Sequence, residues 1–224
     1  MERAFVYGDL LFETMKMVNG QVQYFEKHMR RLLRSMEYLM MNTDGVAAQI
    51  SETLLPHKNE QTNARVRVVV NRNSQGFYLP TANEVSINVE LFPLLDLPPK
   101  PLTVCTYRDN HKPCTPLSNL KTGNALIYVL AAIHARTMQC DDALIMNERG
   151  YICEATASNI FIREAVQWIT PPLSEGCVAG VMREVVVKEL KVKEEPLDFD
   201  RIRAADEVIL TNAIQGKVPV AKIL

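Results

Sequence analysis

From Ala4 to Val18 apolar and polar residues alternate, which predicts a strand with one face in a core. Asn19-Gly20, followed by Val22 and Tyr24, is a hairpin signal, because both turn residues tolerate positive φ. The period then lengthens. Met29, Leu32, Leu33 and Met36 recur at helical spacing and predict a helix over about 26–40, with Lys27, Arg30 and Arg31 belonging to a charged face. A second helix is predicted over 44–55, stopped near Pro56. After a polar loop at 57–63, two β-branched runs at 65–71 and 84–89 read as strands joined by a Gly-containing loop.

Pro93 to Pro101 is the clearest linker, since proline supplies no ladder donor and stiffens the chain, and it divides residues 1–97 from 98–224. Beyond it the pattern predicts a strand at 102–107, an irregular loop at 109–120 and a long helix over 123–139. That helix would place Leu126, Leu130, Ile133 and His134 along one side. Strands follow at 142–147, 151–154, 158–163 and near 166–169. Gly176 to Gly180 leads into a helix over 181–190, and a last strand at 207–211 precedes a turn at 212–216. Mixed α/β with antiparallel hairpins fits this order better than regular βαβ winding.

With 224 residues, 47% of them hydrophobic, the chain can fill a substantial core as one large domain or two small ones. A formal net charge of −1 with interleaved signs argues against a nucleic-acid partner. The cysteines Cys105, Cys114, Cys140, Cys153 and Cys177 are scattered and lack a CxxC pair, so reduced thiols are expected rather than disulfides or zinc. The opening Met1-Glu2-Arg3-Ala4 is no apolar signal segment, and no run approaches the ~18 apolar residues that span a membrane. A soluble cytoplasmic protein is expected.

The chain has no GxxxxGK[ST], GxSxG or HExxH, and its four histidines show no ligand spacing, so no metal site is expected. Lys121, in Leu120-Lys121-Thr122-Gly123-Asn124, is the notable residue. A lone lysine ahead of a helix is ordinarily a solvated surface group, but what lies downstream changes its reading. Lys121-Thr122-Gly123-Asn124, an apolar helix, and then Glu154-Ala155-Thr156-Ala157-Ser158-Asn159-Ile160-Phe161 resemble the paired signature of class-IV pyridoxal 5′-phosphate (PLP) enzymes. That family includes branched-chain and D-amino-acid aminotransferases and aminodeoxychorismate lyase. Tyr7-Gly8-Asp9-Leu10-Leu11-Phe12-Glu13-Thr14 and His28-Met29-Arg30-Arg31-Leu32 are similar to its GDG-x-FE and H-x-x-R-L segments, so the likeness runs from Arg3 to Val220.

The resemblance implies a two-lobed fold, a small N-terminal α/β lobe and a larger cofactor-binding lobe of mixed β-sheet. It implies PLP carried as an imine on Lys121, the catalytic residue, with Glu154 against the ring nitrogen. Arg31 is similar to the phosphate arginine, with Arg30 the alternative in register. Backbone N–H groups of Val181 and Met182, opening a helix after Gly180, and of Asn212-Ala213 would complete the phosphate cup. Met182 stands where many aminotransferases have threonine, which leaves only its backbone contact. Phe12 and Glu13 match substrate-side positions, with a core role open for Phe12 and a plain turn open for Asn212. The implied reaction is transamination between an amino acid and a 2-oxo acid, with release of pyruvate and 4-aminobenzoate by a lyase as the alternative. The loop Asn71 to Tyr78 lacks the glycine-rich, arginine-containing form common in lyases. A non-catalytic relative would be expected to lack the lysine or the carboxylate, and both are present. A homodimer is the usual family assembly. The opening just before Tyr7 and the end at Leu224 suggest a small lobe short of an opening strand and a trimmed last segment.

Overall fold

In a computed structural model of the chain, residues 3–58, 63–95 and 98–224 are described. The middle of the polar loop at 57–63 (residues 59–62), linker residues 96 and 97, and the opening Met1-Glu2 therefore fall outside the described residues. The chain divides into two compact units: Met1–Leu97 with Lys121–Asn124, and Pro98–Leu120 with Ala125–Leu224.

The first unit holds helix α1 (Arg3–Tyr7), strands β1 (Leu10–Val18) and β2 (Gln21–Val22), helices α2 (Phe25–Tyr38) and α3 (Val46–Leu54), and strands β3 (Ala64–Arg72) and β4 (Val85–Pro93). The strands form an antiparallel sheet in the order β2-β1-β3-β4. Burial alternates strictly along β1 and β3, so Leu11, Met15 and Met17 share the covered face with Val66, Val68 and Val70. Helix α2 presents Met29, Leu32 and Met36 to the core, as its periodicity predicts. Asn19 and Gly20 have φ of 49° and 73°, and the β1–β2 hairpin turns on them. The strand expected from Ala4 starts only at Leu10. Residues 3–7 are helical instead, and Gly8, at φ 65°, makes the break.

Lys121–Asn124 joins this unit by pairing with the edge of β1. Phe12 N–H donates to the Lys121 carbonyl at 3.0 Å and Gly123 N–H to that of Leu10 at 3.1 Å. The segment thus covers the edge of β1 near Leu11, while β2 covers it near Met17. Two glycines permit the approach: a Cβ on Gly8 would stand 2.4 Å from Asn124 Oδ1, and one on Gly123 2.7 Å from Leu10 Cγ.

The second unit comprises β5 (Leu102–Lys112), α4 (Leu126–Thr137), β6 (Asp142–Asn147), β7 (Ile152–Ala155), β8 (Asn159–Glu164), β9 (Gln167–Thr170), α5 (Val181–Glu189), β10 (Lys193–Glu194), α6 (Phe199–Ala204), β11 (Glu207–Asn212) and β12 (Gly216–Ile223). The strands order as β10-β9-β8-β11-β12-β5-β6-β7. This sheet curls, so that Ile152 of β7 shares a core with Ile160 and Ile162 of β8, Leu210 of β11 and Ile202 of α6. Tyr107, Ala143 and Ile145 lie against α4, and Phe161 and Ile209 against Met182 and Val186 of α5.

Two expectations are corrected here, on the loop at 109–120 and on the last strand, and the side of α4 that meets the sheet is decided. The loop expected at 109–120 begins later, because β5 continues through an irregularity to Lys112, which pairs with Asn147. Helix α4 packs through Ala131 and Ala135, whose small side chains let it approach the sheet, while Leu126 is 76% exposed and Leu130 and Ile133 are also exposed. Beyond residue 190, β10, α6 and β12 are additions to the expected elements, and β11 is not the last strand.

Candidate active site

In the first unit, a charged residue occupies a core position. Glu13 sits on the covered face of β1 between Leu11 and Met15, opposite Val68, and is 1% exposed. A carboxylate there requires partners, and α2 supplies two from one face, at i and i+3. Arg31 is bidentate, with Nε to Oε1 at 2.7 Å and Nη2 to Oε2 at 2.5 Å. His28 Nδ1 is 2.7 Å from Oε2. Burial alone would raise the Glu13 pKa, but the Arg31 charge and the bonds from His28 and Arg31 outweigh it and hold the carboxyl at about 2. Of the two neighbouring arginines, Arg31 is thus the one fixed by a core carboxylate. Glu13 is turned into the core, with its carboxylate engaged by α2.

Phe12, the next residue on β1, faces the other way. The Lys121 Nζ lies 4.1 Å from its ring centroid. With the backbone bond between Phe12 and Lys121, the same strand residue positions both the main chain and the amine of the lysine.

In the second unit, Glu154 is buried on β7. Its Oε1 accepts from the Lys112 ammonium and, at 2.8 Å, from the Tyr128 hydroxyl, and its Oε2 accepts from Val178 N–H at 2.8 Å. Asn159 Nδ2 donates to the Val178 carbonyl at 2.9 Å. A Cβ on Gly180 would come within 2.0 Å of Asn159 Oδ1, so the glycine is required by space rather than by its φ of −65°. Gly180 is also the N-cap of α5 and brings no side-chain acceptor, so the first-turn N–H groups, which include those of Val181 and Met182, have no side-chain cap. Met182 packs with Ala213 in one apolar cluster.

Asn212 links the two motifs: its Nδ2 donates to Ser158 Oγ at 3.0 Å, and its Oδ1 accepts from the N–H groups of Ile214 and Gln215. Its side chain therefore makes the turn that presents Ala213. Next to it, Thr211 Oγ1 is buried and has no hydrogen-bond partner among the described residues.

This donor set fits a phosphorylated pyridine. An uncapped helix terminus and an orphaned buried hydroxyl suit a phosphate, and a buried carboxylate with one lone-pair site left on Oε2 suits a ring N–H. Three residues of these two clusters, one in the first unit and two in the second, escaped the sequence reading. Lys112 and Tyr128 lie in no recognised motif: Tyr128 stands out only as a polar group in an apolar helix, and Lys112, at the end of the polar run Arg108-Asp109-Asn110-His111, carries no signal of its own. His28 belongs to the H-x-x-R segment, where its spacing of three from Arg31 could have marked it.

Comparison with known proteins agrees with this geometry. The amino-transferase class IV family model matches residues 10–223. A putative branched-chain-amino-acid aminotransferase of Methanocaldococcus jannaschii is 29% identical over 99% of this chain and 81% of its own length. An aminodeoxychorismate lyase of Vibrio harveyi is 27% identical over 99% of this chain and 86% of its own. The crystal structure of a putative 4-amino-4-deoxychorismate lyase from Legionella pneumophila superposes with a TM-score of 0.91 at 24% identity, covering 99% of this chain and 85% of that one. PLP-bound enzymes occur among the matching solved structures. Family, fold and the chemistry of the donor set agree: the chain belongs to the class-IV aminotransferases, which are PLP-dependent enzymes.

Proposed function

We propose that this enzyme transfers an amino group between an amino acid and a 2-oxo acid, with branched-chain amino acids as the donor class. The observation that carries the reading is Lys121 held on the edge of β1 with its amine over the Phe12 ring. Bound PLP would supply an aldehyde for the substrate amine and a ring that accepts the electron pair released at the substrate carbon. Lys121 carries the cofactor and moves the proton at that carbon. Glu154 holds the ring-nitrogen proton, and Arg31 with the N–H groups of Val181, Met182, Asn212 and Ala213 holds the phosphate. Phe12 forms an apolar wall suited to an aliphatic side chain. Glu13 serves by holding Arg31.

Met182 and Asn212-Ala213 resemble the lyase branch and keep a second reading open, elimination of pyruvate from aminodeoxychorismate. Purified protein loaded with PLP should absorb near ~410–420 nm and lose that band in Lys121→Ala. A panel of L- and D-amino acids with 2-oxo acids, run beside aminodeoxychorismate, then separates the two reactions. Transamination needs both substrates and shows ping-pong kinetics, whereas pyruvate appearing with 4-aminobenzoate establishes the lyase. A Lys121→Ala protein as active as the parent overturns both.

The proposed assembly is a homodimer. Leu126, Val129, Leu130 and Ile133 form an exposed apolar stripe along α4, and a second copy of the same stripe would cover it. All five cysteines are free, which fits the cytoplasm as the compartment. No helix of the described residues is long and apolar enough to cross a membrane.

A further inference from the structure

Glu154 carries more protein bonds than contact with a cofactor requires. Oε1 takes two donors, Lys112 and Tyr128, and Oε2 takes Val178 N–H, so one lone-pair site on Oε2 remains. Lys112 also donates to the Tyr128 oxygen at 2.6 Å and lies 5.1 Å from the centroid of that ring. The Lys112 and Glu154 side chains are 6% and 4% exposed, which makes this a charge pair inside the core of the unit. Three elements build it: the end of β5, the first turn of α4, and β7.

The neighbouring groups leave the charge with that pair. Burial, then the Glu154 charge, push the Tyr128 hydroxyl far above the phenol range, so it stays a neutral donor. The same causes raise the Cys153 thiol and push the Cys177 thiol up to about 12. Arg183, on α5, donates instead to the Pro171 carbonyl and Glu194, and Cys114 is a neutral thiol raised by burial. An ammonium bonded to Oε1 gives this deeply buried carboxylate its counter-charge before anything binds.

We propose that Lys112 is a positioning residue: with Tyr128 it fixes the orientation of Glu154, leaves Oε2 for the ring nitrogen, and competes with that nitrogen for the carboxylate. The ring proton is then held less tightly than an unpaired glutamate would hold it. This rests on the reading of Glu154 as the partner of the ring nitrogen.

The test uses holoenzyme loaded with PLP carrying nitrogen-15 in its ring, with the ring signal followed against pH. The parent ring should lose its proton within the stable pH range, and Lys112→Met should retain it to a pH about one to two units higher, the scale of one unit charge removed from a few ångströms away. Lys112→Arg should restore the parent midpoint, and Tyr128→Phe should move it upward by less. An unmoved or lowered midpoint in Lys112→Met overturns the proposal, as does a parent ring still protonated at the alkaline limit of stability. If Lys112→Met does not fold, Tyr128→Phe decides: no upward movement overturns it. Two controls separate failure of the underlying reading. A ring signal indifferent to Glu154→Gln sinks the Glu154 assignment and this proposal with it. A yellow band that survives Lys121→Ala sinks the lysine assignment and leaves the competition at Glu154 standing.

Discussion

Glu13 shows how a single core position can fix the arginine proposed to hold the phosphate. Its carboxyl, ordinarily at 4.5, is held at about 2 in the folded protein. The folded value is depressed, so the stability it contributes is present above pH 4.5 and is lost as pH falls towards 2. The difference corresponds to about 3 kcal/mol for this buried group. Thermal unfolding measured between pH 6 and 2.5 should therefore show a steep acid limb that Glu13→Gln flattens. The same substitution leaves the Arg31 guanidinium without its counter-charge and should cost about 3–5 kcal/mol at neutral pH. It should also weaken PLP binding through Arg31. A Glu13→Gln protein with the parent unfolding temperature would refute the account. His28 was legible only as one letter of a motif. That it completes the bonding of Glu13 follows from α2 lying against β1.

At the scale of elements, termini and edges decide more than interiors. Helix α5 starts where Gly180 passes Asn159, so Gly180→Ala places a methyl group against the Asn159 amide although its backbone angles suit alanine. Shifting the α5 terminus should reduce PLP affinity at least tenfold, measured by titration of the cofactor-free protein, with a smaller loss of stability. Unchanged affinity would mean that the helix terminus does not face the phosphate. The elements missed near the C-terminus have local causes. Pro219 interrupts β12, and a proline argues against a central strand. The strand tolerates it because the proline lies opposite Ile209 of β11, while pairing with β5 begins only at Val220. Helix α6 did leave a signal, since Asp198 caps it by accepting from Arg201 N–H at 2.7 Å.

For the whole molecule, the apolar stripe on α4 gives the clearest prediction. Four large apolar residues recur at i, i+3, i+4 and i+7 on a helix whose sheet-facing side is alanine, so the face with the greater apolar area is the outward one. Leu130→Asp should convert the proposed dimer to monomer in sedimentation with little change in the fold of the unit, because Leu130 is exposed. A parent protein that sediments as a monomer at micromolar concentration contradicts the assembly. The grouping of Lys121–Asn124 with the first unit is also a property of this scale. In sequence the segment follows the proline linker, yet its pairing with β1 returns it to the sheet that carries Phe12.

The sequence by itself determined the elements with strong period and the motifs with unusual residues: β1 with its Asn19-Gly20 turn, α2, β3, and the lysine and Ser-Asn-Ile-Phe segments that point to the family. These are local patterns, and local sterics and burial periodicity suffice to read them. Only the tertiary structure decided which side of α4 meets the sheet, that Glu13 holds Arg31, and that Lys112 reaches Glu154 across 42 positions. Such pairings depend on which strands become neighbours. Buried charge is stable only where distant elements deliver its partner to within hydrogen-bond reach.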